Sequence, residues 1–166
     1  MRIFKEEQRF TQPLITVTLT LSFLVVNGIV IREYLKDDSD LNLTELSIII
    51  GLFIVFTLPI FLIKLITRID DQGIHYCFFP FHRKHKTISW YEIKSASVRK
   101  YDPIGDYGGW GIKGGSLWNS SKGKAINVKG TIGIQLELNN SKKVLIGTQK
   151  EVEAIKVLEY YRDKLV

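Results

Sequence analysis

The sequence predicts a membrane anchor of two α-helices followed by a mainly β domain of about seven strands, capped by a C-terminal α-helix. Three observations carry that reading. Residues 14–31 and 46–63 are two runs of eighteen without a charge. After Ile66 the apolar period changes from helical to two, and in the last twenty residues it returns to spacings of three and four. A chain of 166 residues accommodates such an anchor and one small domain. The expected division is residues 1–66 for an N-terminal tail and helical hairpin, with spans at about 14–31 and 46–66, and residues 67–166 for the domain.

The first ten residues read as a short polar head with Arg2, Lys5 and Arg9. Pro13 opens the first apolar run, which at 1.5 Å of rise per residue reaches roughly 27 Å, about one bilayer core. A secretory signal is the rival reading for a basic start and an apolar run. The run is longer than the usual apolar region of such signals and ends in Val-Ile-Arg-Glu, not in small residues. The segment 32–45 holds two basic and five acidic residues, whereas three basic residues precede the first span and Lys64, Arg68 and many lysines follow the second. The positive-inside bias therefore places the acidic turn outside and both termini in the cytoplasm, in a multi-pass protein of the cell (inner) membrane. Asn27, Gly28, Gly51 and Pro59 are the residues in the spans that suggest more than passive anchoring, through close approach, a hydrogen bond between helices or a kink. Neither run contains an ionisable residue, which argues against a transporter or proton relay.

The domain then unrolls as strands. Residues 67–70, 74–79, 86–90 and 93–101 alternate or run apolar, with a turn at Asp71-Gln72-Gly73 and another at 80–85. Residues 101–115 contain six glycines and form the least generic stretch of the chain. Residues 125–129, 132–138 and 143–146 complete the strands, the last two as a hairpin around Asn139-Asn140-Ser141. Thr148 and Glu151 have the spacing of a capping box, and Val152, Ile155, Leu158, Tyr161 and Leu165 mark the expected buried face of the closing helix. One cysteine, Cys77, excludes an internal disulfide and fits a reducing compartment. From Lys64 onward 18 Lys/Arg stand against 10 Asp/Glu, net +8, so the domain would be drawn to an anionic membrane leaflet.

The strand order, Trp90-x-x-Ile93, Tyr107-Gly-Gly-Trp110-Gly-Ile112, and the hairpin 143–148 leading into a C-terminal helix together resemble bacterial pleckstrin-homology-like domains. The resemblance covers residues 67–166. It implies a PH-like barrel or sandwich and a binding module rather than an activity, since one fold hosts many functions.

Four groups of residues could carry chemistry. Gly109-Trp-Gly111-Ile-Lys-Gly114 matches a dinucleotide fingerprint, but the sequence after it does not supply the helix that a pyrophosphate needs. His75, Cys77, His82 and His85 could meet on one zinc ion, although their spacing is not that of a common finger, and no metal site is assigned. Arg83, Lys84 and Lys86 make a basic hairpin tip suited to anionic lipid. In eukaryotic PH domains the basic loop lies between the first two strands; here it lies between the second and third, and the first turn is acidic. Tyr107, Gly108, Gly109, Trp110 and Trp118, with Tyr101, are the candidate partner-binding cluster; the same aromatics would also serve as core.

No acid-base or nucleophile set is recognisable and no cofactor is implied. Lysines do not interleave with aromatics as they do on a nucleic-acid-binding face. The expectation is a non-enzymatic, membrane-integral module that recruits a protein partner or engages anionic lipid at the membrane surface. The alternative is an accessory subunit of a membrane transport or sensory complex, acting through its hairpin.

Overall fold

The computed structural model describes residues 2–114 and 122–165. The chain divides into two compact units, Phe10–Leu62 and a second one built from Met1–Arg9 together with Ile63–Val166.

The first unit is a pair of helices. Helix α1 (Pro13–Tyr34) starts on a proline at its first turn, where the missing N–H would have no helical partner anyway. Helix α2 (Leu43–Leu62) is capped by Asn42, whose side-chain oxygen accepts the Glu45 N–H at 2.9 Å while Glu45 Oε2 accepts the Asn42 N–H at 3.1 Å. Phe23 and Phe53 pack with ring centroids 5.6 Å apart. Among the described residues of the two helices only Asn27 and Leu46 are buried. Both helices are long and apolar enough to cross a membrane, and their exposed surfaces suit lipid better than water. Asn27 donates to the Phe23 carbonyl of its own helix at 2.7 Å, so the expected bond between helices is replaced by one along α1.

The second unit contains nine strands among the described residues, where about seven are expected. Four form one sheet in the order β1-β2-β3-β4: β1 (Phe4–Arg9), β2 (Lys64–Ile69), β3 (Gly73–Phe79) and β4 (Lys86–Ser89). Five form the other in the order β5-β8-β9-β7-β6: β5 (Ile93–Lys100), β6 (Gly111–Lys113), β7 (Lys124–Asn127), β8 (Ile132–Leu138) and β9 (Lys143–Gly147). All pairs are antiparallel except β7 with β9. A short helix α3 (Pro103–Tyr107) follows β5, and α4 (Glu151–Tyr160) follows β9. Leu65, Ile69, Ile74, Ile93, Ile134 and Leu145 are fully buried in the core.

The polar head is a strand. Residues Phe4 to Arg9 pair with β2 from Phe4↔Ile69 to Arg9↔Lys64, and Phe4, Glu6 and Gln8 point inward. Glu6 accepts from the Thr148 hydroxyl at 2.6 Å and the Gln149 N–H at 2.8 Å, and Gln8 Nε2 donates to the Gly147 carbonyl at 2.7 Å. The helical pair is thus an insertion between β1 and β2, the first two paired strands of the β unit. Helix α2 stops at Leu62, short of the expected Ile66, because Lys64 to Ile66 belong to β2.

Two expectations for α4 change. The Thr148 hydroxyl is turned to Glu6, so the Thr148–Glu151 capping box does not form, although Thr148 Oγ1 accepts the Lys150 N–H at 3.1 Å. The buried face of α4 is Ala154, Val157, Leu158 and Tyr161, while Val152 and Ile155 stay outside.

Candidate functional site

Strand β5 occupies an edge of the five-stranded sheet, and among the described residues it pairs only with β8. Its register runs from Ile93↔Leu138 through Ser97↔Gln135 to Lys100↔Ile132, with an irregularity between Ile93 and Ser95. An edge strand presents backbone N–H and C=O groups along its open side, a template for another strand. Proteins usually protect such edges, and α4 packs beside this one without closing it.

Between β5 and α4 lies a groove of about 690 Å³, bounded by Lys94, Ala96 and Val98 on the strand and by Ile155, Leu158, Glu159, Arg162 and Leu165 on the helical side. Its apolar wall explains the rotated face of α4. Ile155, Leu158 and Leu165, taken from sequence as core residues, line the groove, and Ile155 is 37% exposed. The outer face of the sheet carries a second, polar depression of about 340 Å³, lined by Arg99, Lys122, Gln135, Glu137 and Lys143. The two share Ser95 and Ser97, so both depressions border β5. The pairing Ser95↔Glu137, Ser97↔Gln135 and Glu137↔Lys143 places these side chains on one sheet face.

Hydrogen bonds set the basic end of this surface. Arg99 Nε and Nη2 donate to Gln135 Oε1 at 3.1 and 2.9 Å, and Nη2 also donates to the Tyr107 hydroxyl at 3.3 Å. Tyr107 in turn donates to the Lys122 carbonyl at 3.3 Å. The Lys122 ammonium bonds to Asp106, which holds that carboxyl below its ordinary range. Burial raises the Tyr107 hydroxyl's pKa, so it stays a neutral donor and acceptor at physiological pH.

Of the glycine-aromatic cluster expected to meet a partner, Tyr107 bonds to this surface through Arg99 and the Lys122 carbonyl. Tyr107 is buried against Tyr101, centroids 6.0 Å apart, with Ala125 and Leu145. Gly108 ends α3 with φ +71°, and Gly109 follows with φ +116°. Trp110 is half-buried and donates to the Gly130 carbonyl at 3.4 Å. Trp118 lies outside the described residues. The G-x-G-x-x-G run, residues 109–114, contains strand β6, so among the described residues it has no helix N-terminus to offer a phosphate. A Cβ on Gly114 would stand 2.1 Å from the Gly123 carbonyl oxygen, a close approach that only glycine permits.

The histidine and cysteine set is engaged locally. His75 lies between Asp70, at 3.0 Å from Nε2, and Thr87, at 2.8 Å from Nδ1. Cys77 donates to the His82 carbonyl, and His82 Nδ1 accepts the Phe78 N–H at 3.2 Å. Burial, with Lys86 and Lys124 nearby, lowers the His82 pKa and keeps the ring neutral. Among the described residues no three His, Cys, Asp or Glu side chains lie close enough together for one cation. Arg83, Lys84 and Lys86 are exposed on the β3–β4 turn, as their basic run suggests.

Sequence reasoning missed the β5 surface. The Ser-Ala-Ser centre of β5 was the available signal, because small side chains on an edge leave room for a second chain. Compared with family models, curated proteins and solved structures, the chain matches none.

Proposed function

We propose that this chain is a membrane-anchored, PH-like binding module that captures an extended, acidic segment of a partner protein along β5. The observation that carries the reading is the open edge of β5 bordered by two depressions, one with an apolar helix wall and the other with basic residues. A bound segment would extend the sheet by one strand, its backbone pairing with β5. Apolar side chains would enter the groove at Ile155, Leu158 and Leu165, and acidic ones would meet Arg99, Lys122 and Lys143. The helical pair serves as the tether: confinement to a membrane raises the local concentration of the domain, so weak pairing suffices.

The test is titration of the full chain, in detergent micelles, with extended peptides that alternate valine and glutamate. Binding should weaken about tenfold with Lys143→Glu, a loss of about 1.4 kcal/mol, and also with Leu165→Asp. Valine-lysine peptides should bind more weakly than the acidic set. Acidic peptides that fail to bind, or that bind both variants as well as the parent chain, would refute the reading.

A further inference from the structure

The β3–β4 turn is the second surface to which the β5 reading gives no role. Register locates it. Arg9 pairs with Lys64 and Lys64 with Phe79, so these three residues form one row across β1, β2 and β3. At that row the chain leaves the sheet for the helices: Pro13 opens α1 three residues beyond Phe10, and Leu62 closes α2 one residue before Ile63 and the start of β2. The only continuation of β3 past the row is the turn Pro80-Phe81-His82-Arg83-Lys84-His85. An extended residue spans about 3.5 Å, so the apolar ends of both helices are within a few residues' reach of the sheet end that carries this turn.

The composition of the turn suits a bilayer interface. Phe79 is 42% and Phe81 68% exposed, two large apolar rings flanking Pro80 at the end of a strand. Lys64 Nζ stands 5.9 Å from the Phe79 ring centroid. Arg83, Lys84 and Lys86 follow, all exposed, and among the described residues none of the three is held in an ion pair. Aromatic rings settle at the acyl boundary, and juxtamembrane cations are attracted to anionic headgroups. In water the same rings would be an exposed apolar patch with nothing to cover it.

We propose that the β3–β4 turn docks into the interface of an anionic bilayer, with Phe79 and Phe81 at the acyl boundary and Arg83, Lys84 and Lys86 among the headgroups. The contact is separate from the β5 groove, and it rests on α1 and α2 crossing that bilayer.

The experiment uses the full chain, with Cys77→Ser removing the native thiol, reconstituted into vesicles of phosphatidylcholine with or without phosphatidylserine. An environment-sensitive fluorophore is placed at His85→Cys in the turn, at Val17→Cys in α1, or at Val152→Cys on α4, and quenched by brominated lipid. The label at 85 should be quenched severalfold more in anionic than in neutral vesicles. That difference should vanish in the Arg83→Glu, Lys84→Glu, Lys86→Glu variant and shrink with Phe81→Ser, while the label at 152 stays unquenched throughout. Quenching at 17 without quenching at 85 overturns the turn proposal alone. No quenching at 17 overturns the spanning reading and the turn proposal with it. Equal quenching at 85 and 152 overturns the assignment to this turn.

Discussion

Asp70 shows how much one side chain can hold. It is 2% exposed and sits where β2 turns into β3. Its carboxylate receives the Gln72 N–H at 3.0 Å, faces His75 Nε2 at 3.0 Å and pairs with Arg68 Nε at 2.8 Å; its carbonyl accepts Trp90 Nε1 at 2.8 Å. Burial opposes ionisation, but the His75 and Gln72 hydrogen bonds and the His75 and Arg68 charges outweigh it, and the carboxyl is held below its ordinary range. A carboxylate lowered on folding adds stability above its unfolded value and loses it as the pH falls through the folded value. Asp70→Asn should therefore cost about 1.5–3 kcal/mol at pH 7, and the difference from the parent chain should close as pH drops below about 4. Denaturant titration of the full chain in detergent between pH 2 and 7 measures this. A gap that stays constant over that range would show that the charge on Asp70 is not what stabilises the turn. The sequence displayed Asp70 and Asp71 only as an acidic turn, since nothing local indicates that Arg68, His75 and Trp90 converge there.

At the scale of elements, the strands with an apolar alternation were legible and those without one were not. The strands β2 to β5 and β7 to β9 lie within a few residues of where the period of two puts them. Strand β1 escaped because two of its three inward residues, Glu6 and Gln8, are polar, and the partners of the Glu6 carboxylate and of Gln8 Nε2 lie more than 130 residues away. Strand β6 escaped because two of its neighbours and one of its own residues are glycines chosen for backbone shape. The face of α4 was misjudged by a fraction of a turn: spacing alone does not say which of two adjacent apolar stripes meets the core. The candidate site was legible only as an apolar helix face that includes Ile155, Leu158 and Leu165, since the β5 groove needs α4 and β5 to come together. One consequence concerns any attempt to isolate the domain. A fragment of residues 67–166 lacks β1 and half of β2, and should be unfolded or aggregated. Residues 1–11 joined by a short glycine-containing turn to residues 63–166 should give a folded domain with a cooperative thermal transition. If both fragments melt cooperatively at the same temperature, β1 adds nothing to the fold.

For the whole molecule, the pairing of β1 with β2 supports a specific topology of the spans. Both ends of the helical insertion return to one folded unit, so if α1 and α2 each cross a bilayer, the N-terminus and the β domain share a side and the acidic turn at 37–42 faces the other. Strand pairing imposes this topology wherever the basic residues fall. Cysteines placed at Lys5 and Lys156 should react with a membrane-impermeant maleimide from one face of oriented vesicles, and one at Asp38 from the opposite face, in the Cys77→Ser chain. Reaction of the cysteines at 5 and 156 from opposite faces would mean that β1 and β2 are not paired in the membrane.

The same insertion imposes an order on biosynthesis. Fifty-four residues separate Arg9 from Lys64. At ribosomal rates of about 5–20 residues per second, β1 leaves the tunnel some 3–11 s before its partner exists. During that interval it must neither join the apolar helix behind it nor pair with a neighbouring chain. Lys-Glu-Glu-Gln-Arg is suited to waiting: it is too polar to enter lipid and carries too little apolar surface to aggregate. The composition that disguises this strand in the sequence is what keeps it available until the second helix is in place and the sheet can close.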